Sequence, residues 1–143
     1  MAAKVSDGFL PDYSLAAMTP AWWAAYASRN GSLDKSRPGW MPWPHLLLVD
    51  QALDRIAHGE LRRLMIFMPP RHGKSELVSE YAAGWFAAAL GWEVMLASYE
   101  ADFASSWGMK ARNHVVDYGA RVFGCRILGR DQEKWWELAN GGS

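Results

Sequence analysis

Apolar positions recur at helical spacing in four stretches of this chain and run unbroken in two short ones. Residues 1–18 show no period and read as an irregular arm. Thr19 and Pro20 then open a helix over "TPAWWAAYASRNG", with Thr as N-cap, Pro at the first helical position and Gly31 just past the end. A Gly-, Pro- and Ser-rich loop carrying Trp40 and Trp43 follows. Pro44 starts the next helix, where Leu46, Val49, Leu53 and Ile56 share one face and Gly59 suits the position beyond the end. Residues 64–68 are continuously apolar, as in a strand buried on both faces of a parallel sheet. Between Lys74 and Leu90 the apolar residues Leu77, Val78, Tyr81, Trp85, Phe86 and Ala89 return every three or four positions, and Gly91 closes the stretch. "EVMLASY", residues 93–99, reads as a second strand. Residues 101–115 form a further helix with Ala104, Trp107 and Ala111 on one stripe. Strand–helix–strand–helix order predicts an α/β fold, a parallel sheet flanked by helices with right-handed crossovers. The tail "CRILGRDQEKWWELANGGS" follows neither period.

A length of 143 residues bounds the chain at about one domain. Half the residues are apolar and 21% are charged, which excludes a disordered polymer. Fifteen basic residues balance fifteen acidic ones, so no broad basic footprint for nucleic acid exists and any such contact must be local. Cys125 is the single cysteine, so an internal disulfide is impossible and a reducing compartment fits. "MAAKVSDGFLPDYS" lacks a signal-peptide core, and the uncharged stretch near "YAAGWFAAALGW" is too short for a bilayer. Nine tryptophans imply heavy burial or a partner-covered surface. In each of the pairs Trp22-Trp23 and Trp135-Trp136, core packing is expected for at least one ring, since neighbours on a helix point apart.

Candidate chemistry concentrates in "LMIFMPPRHGKSELV". A phosphate-binding loop works by turning backbone N–H groups inward between a strand and a helix; a Lys then reaches the phosphates and a Ser or Thr holds Mg²⁺. Gly73 supplies the close approach, Lys74 the cation and Ser75 the hydroxyl, with Arg71 as a second cation. Pro69 and Pro70 stiffen the turn. The usual first glycine is absent, and Met68 stands in its place.

"GELRRLMIFMPPRHGKSELVS" followed by "VMLASYEADFASSWGMKAR" resembles the ATPase region of phage terminase large subunits, the motors that package viral DNA. That family commonly carries a Pro-Pro-Arg-His-Gly-Lys-Ser loop without the first glycine. The upstream "PHLLLVDQAL" helix is similar too. The resemblance spans about residues 42–143, its most specific block being 59–112. It divides the chain into an N-terminal arm and helix, residues 1–41, and the N-terminal part of a P-loop ATPase domain, residues 42–143, that is, an incomplete P-loop NTPase core. It implies ATP and Mg²⁺ as cofactors, held by Pro70, Arg71, His72, Gly73, Lys74 and Ser75. Lys74 and Arg71 take catalytic roles in it, Arg71 at the γ-phosphate, and Ser75 takes the metal. It places residues 43–45 near the adenine. The implied partners are double-stranded viral DNA, a portal protein, a small terminase subunit and further copies of the chain in a ring. The implied location is the bacterial host cytoplasm, away from any membrane.

Hydrolysis further needs an Asp for Mg²⁺ and a neighbouring carboxylate to orient the attacking water. No apolar run ending in paired acids follows the loop. "LLLVDQ", ending at Asp50 and Gln51, precedes it within a helical pattern and is not expected to supply the acid. The resemblance puts the acidic strand and a nuclease domain beyond "KWWELANGGS", so the fragment alone is expected to be inactive, marginally stable or self-associating. Glu100 and Asp102 read as acids at a helix N-terminus, and Arg112 as a surface arginine or a finger toward a neighbouring subunit. His45, His58 and His114 lack metal-ligand spacing, and Cys125 reads as a core thiol. Two rivals remain: a helicase-like P-loop ATPase, and a non-hydrolysing nucleotide-binding or interaction module.

Overall fold

The computed structural model describes residues 12–128 and 135–143, and among these the chain is helical. Its helices are α1 (Asp12–Ala16), α2 (Pro20–Ala27), α3 (Pro44–Ala57), α4 (Ala83–Leu90), α5 (Ala101–His114) and α6 (Ala120–Val122). A π-helical turn, Glu76–Ala82, leads directly into α4, and another, Val115–Gly119, joins α5 to α6.

α2 lies at the centre, packed against α1, α3, the π-helical turn Glu76–Ala82 and α4. Its composition explains the position, because a helix apolar all round has no face to give to water. Pro20, Ala21 and residues 23–27 are all buried, whereas Trp22 turns outward. Thr19 caps it as the sequence predicts, its Oγ1 accepting from the Trp22 N–H at 3.4 Å. A second capping group comes from α3. The buried carboxylate of Asp50 accepts from the Ala21 N–H at 2.8 Å and from the Thr19 hydroxyl at 2.9 Å. Leu46, Val49 and Leu53 complete the buried stripe of α3.

Past the loop, Leu77, Tyr81, Trp85, Ala87 and Ala88 enter the same core as Trp23 and Tyr26. Gly91 ends α4 in the left-handed region (φ +67), its N–H donating to the Ala87 carbonyl and the next N–H to Phe86. Phe86 and Trp92 stack across this end at 5.2 Å. Asn140 finishes the cap by donating to the carbonyls of Ala87 and Ala88. α5 faces the π-helical turn through Glu80, whose buried carboxylate accepts from His114 Nε2 at 2.8 Å; Lys110 lies 3.9 Å away. The helix runs on past Val115, where the spacing ends it, to Val122. Gly119 permits this, since a Cβ there would come 2.8 Å from Val115 Cγ1.

The expected parallel sheet does not form, so the α/β reading is corrected: no strand and no sheet occur among the described residues. Residues 64–68 and 93–99 are the two segments concerned. Leu64, Ile66, Met68 and Val94 pack on the core, whereas Met65, Phe67, Met95 and Tyr99 are between 78% and 91% exposed. One face is half-buried and the other open. Among the described residues no neighbouring strand lies alongside, so the ladder that defines a sheet has no second rail. The described β contacts are an isolated antiparallel bridge, Ile127 to Leu138, and one parallel-type pair in which Ser143 donates to Trp92 and accepts from Val94. No helix among the described residues is long and apolar enough to cross a membrane.

Candidate phosphate-binding loop

Residues 69–75 fold into a tight turn that enters the helix at Lys74. Two of its residues are left-handed: Arg71 at φ +63 and Gly73 at φ +79. Glycine occupies that region freely, whereas an arginine there is strained by roughly 1–2 kcal/mol. Strain of this kind persists only where surrounding contacts hold it.

Those contacts come from two histidines and one leucine. A carbonyl oxygen only accepts, so each imidazole nitrogen facing one must carry the proton. His72 Nδ1–H therefore donates to the Pro70 carbonyl at 2.8 Å, closing the turn on itself. His45 Nε2–H, from the first turn of α3, donates to the His72 carbonyl at 3.2 Å. The two rings meet edge to face at 5.9 Å. Leu46, the next residue of α3, lies 3.1 Å from where a Cβ on Gly73 would stand. Any other residue at 73 meets both that contact and an unfavourable φ.

The helix beyond is anchored by the Leu77 N–H, which donates to the Gly73 carbonyl at 2.9 Å. First-turn N–H groups of a helix have no acceptor within it and carry its positive dipole end. Lys74 is half-buried and Arg71 exposed, and neither is paired with a carboxylate of the described residues. Pro70, Arg71, His72, Gly73, Lys74 and Ser75 thus share one turn, with two cations, a helix N-terminus and the exposed Ser75 hydroxyl together. At phosphate loops of this kind a Ser or Thr hydroxyl joins phosphate oxygens and water around Mg²⁺, and the exposed Ser75 hydroxyl fits that role.

The carboxylates lie differently. Glu76 follows Ser75, and its carboxyl is pushed up by burial first and by the neighbouring Glu80 second. Glu80 is committed to His114, and Asp50 to the end of α2. No group of three His, Cys, Asp or Glu side chains that could hold a metal occurs among the described residues. Glu100 is the N-cap residue of α5 and Asp102 sits in its first turn. Arg112, on the same helix, donates to Asn113 Oδ1 at 3.2 Å. Cys125 is buried, and burial pushes its thiol up. Trp23 is buried and Trp136 packs on the core, whereas Trp22 and Trp135 are exposed. A groove of about 760 Å³ lies apart from the loop, between residues 93–98, α5 and the pair Trp135–Trp136.

The resemblance put His45 near the adenine, but sequence reasoning missed its contact with the loop, because nothing in its spacing links α3 to residue 72. It also missed the Glu80–His114 pair, which joins residues 34 positions apart.

No protein-family model, curated protein or solved structure matches this chain.

Proposed function

We propose that residues 70–75 bind the phosphates of Mg·ATP and that the chain is the ATP-binding portion of a viral DNA-packaging terminase large subunit. The observation that carries the site is the strained, left-handed Arg71 beside left-handed Gly73, in a turn that delivers Lys74 and Ser75 to a helix N-terminus. Backbone N–H groups exposed by such a turn, with the helix dipole and two unpaired cations, complement a polyphosphate. In this assignment Lys74 bridges the β- and γ-phosphates, Arg71 faces the γ-phosphate and Ser75 ligates Mg²⁺. The metal neutralises phosphate charge, and the chain's own groups hold the nucleotide in place. Terminase identity rests on the resemblance of residues 59–112. It carries with it double-stranded DNA as substrate, a portal protein and small subunit as partners, a ring of copies, and the host cytoplasm.

Mg·ATP binding and turnover on this chain, beside Lys74→Ala, provide the test. Binding without turnover that Lys74→Ala abolishes is the expected result. Binding that survives Lys74→Ala refutes the site. The commitment of Glu80 and Asp50 to structural contacts favours one second reading, a nucleotide-binding module that does not hydrolyse. An intact terminase subunit carrying these residues hydrolyses ATP; such a module does not in any context.

A further inference from the structure

The resemblance to terminases places residues 43–45 beside the adenine, yet His45 reaches the turn that would hold the phosphates. Its Nε2–H donates to the His72 carbonyl, while His72 Nδ1–H donates to Pro70. Arg71, the strained residue, is flanked by these two bonded positions. Leu46 meets Gly73 on the far side of it. The first turn of α3 therefore touches residues 72 and 73 at once, with one polar and one apolar contact. Among the described residues no carboxylate bonds the His45 ring, which contacts the His72 carbonyl and the His72 ring.

We propose that His45 is a positioning residue for the phosphate-binding turn, holding the His72 carbonyl so that Arg71 and Gly73 keep the left-handed geometry that aims Lys74 at a polyphosphate. This rests on the phosphate site proposed above. The ligand class follows from the place of the contact. A residue that shapes the turn acts on any triphosphate, with or without a nucleoside; one that touches adenine acts only when the base is present.

Inorganic triphosphate and ATP, each with Mg²⁺, are titrated against the wild-type chain and the variants His45→Ala, His45→Gln and Lys74→Ala. His45→Ala weakens both ligands by the same factor, about fivefold for the loss of one hydrogen bond that holds the turn. His45→Gln, which keeps an N–H donor at similar reach, recovers most of that loss. Thermal melts of the His45 variants that match wild type establish that the fold is intact. A loss confined to ATP overturns the proposal in favour of an adenine contact. Equal affinity for wild type and His45→Ala overturns it too, as does a Gln variant no better than Ala. Lys74→Ala separates the two levels. If it abolishes binding of both ligands while His45→Ala changes nothing, the phosphate site stands and the positioning role falls. If Lys74→Ala changes nothing, or wild type binds neither ligand, the site and the positioning role fall together.

Discussion

Asp50 offers a substitution whose cost can be worked from the structure and whose result bears on function. Its sequence context, an apolar run ending in Asp, is the nearest in the chain to a catalytic acidic strand. The structure instead puts its carboxylate at the start of α2, accepting from Ala21 N–H and Thr19 Oγ1–H. Asp50→Ala leaves the buried Ala21 N–H without an acceptor, at about 1–3 kcal/mol, and removes the bond to Thr19, worth about 1 kcal/mol. Relief from burying a carboxylate offsets a part of this. The expected net loss is about 2 kcal/mol, or roughly a 7 °C fall in Tm for a domain of this size. Asp50→Asn keeps an oxygen for Ala21 and offers an amide to the Thr19 hydroxyl, so its cost is at most about 1 kcal/mol.

The pH dependence has a definite sign. Burial, the largest influence, holds the Asp50 carboxyl above its ordinary range, the hydrogen bonds from Ala21 and Thr19 acting against it. The folded state therefore binds the proton more tightly than the unfolded one. Stability from this group is full below the unfolded value, near 3.9, and is lost as pH rises through the raised folded value. Wild type gains on Asp50→Asn as pH falls through that window. Urea unfolding of the three proteins across this range is the assay, with ATP affinity measured in parallel. An Asp50→Ala midpoint equal to wild type refutes the capping role. Abolished ATP binding in a folded Asp50→Asn variant refutes its separation from the site.

Two further variants probe the turn and the exposed face. Arg71→Gly relieves the positive φ, so stability rises by about 1 kcal/mol at most, while ATP affinity falls with loss of the cation; a destabilised variant with unchanged affinity contradicts both roles. Met65, Phe67, Met95 and Tyr99 stand almost fully in solvent beside backbone without strand partners, and such surfaces self-associate. Sedimentation at rising concentration should show species above the monomer, reduced in a Phe67→Lys/Met95→Lys variant. A monodisperse monomer with a sharp two-state melt contradicts this.

Two helix starts and the stop at Gly91 were legible because they are local. Thr19-Pro20, Pro44 and Gly91 each act on their own few residues, and the structure uses all three as the spacing predicts. Strand pairing is not local. The apolar run of residues 64–68 signals that the segment can be buried, and the structure half-buries Leu64 and Ile66 while leaving Phe67 at 87% exposure. Whether a second strand lies alongside depends on distant chain, which a five-residue pattern does not encode. The helical path also continues beyond Val115 through a π-helical turn, where Gly119 fits as Val115 and Cys125 crowd it. The loop itself was legible as a motif. Its tie to α3 was not, because His45 and His72 meet only once the core has formed around Leu46 and Val49.

The π-helical turn Glu76–Ala82 carries one implication for how this molecule could change over generations. An α-helix advances about 100° per residue, and a π turn absorbs extra residues by widening its bore. The heading of the Lys74 end relative to the buried face of α4 is thus encoded in residue count as well as in side-chain identity. Losing a single residue between 76 and 82 would let the backbone tighten into ordinary helix and turn the Lys74 end by about a quarter turn relative to α4, against the hold of Leu77 and Tyr81 in the core and of His45 on the loop. Point substitutions in this stretch explore chemistry, whereas insertions and deletions steer it like a vernier.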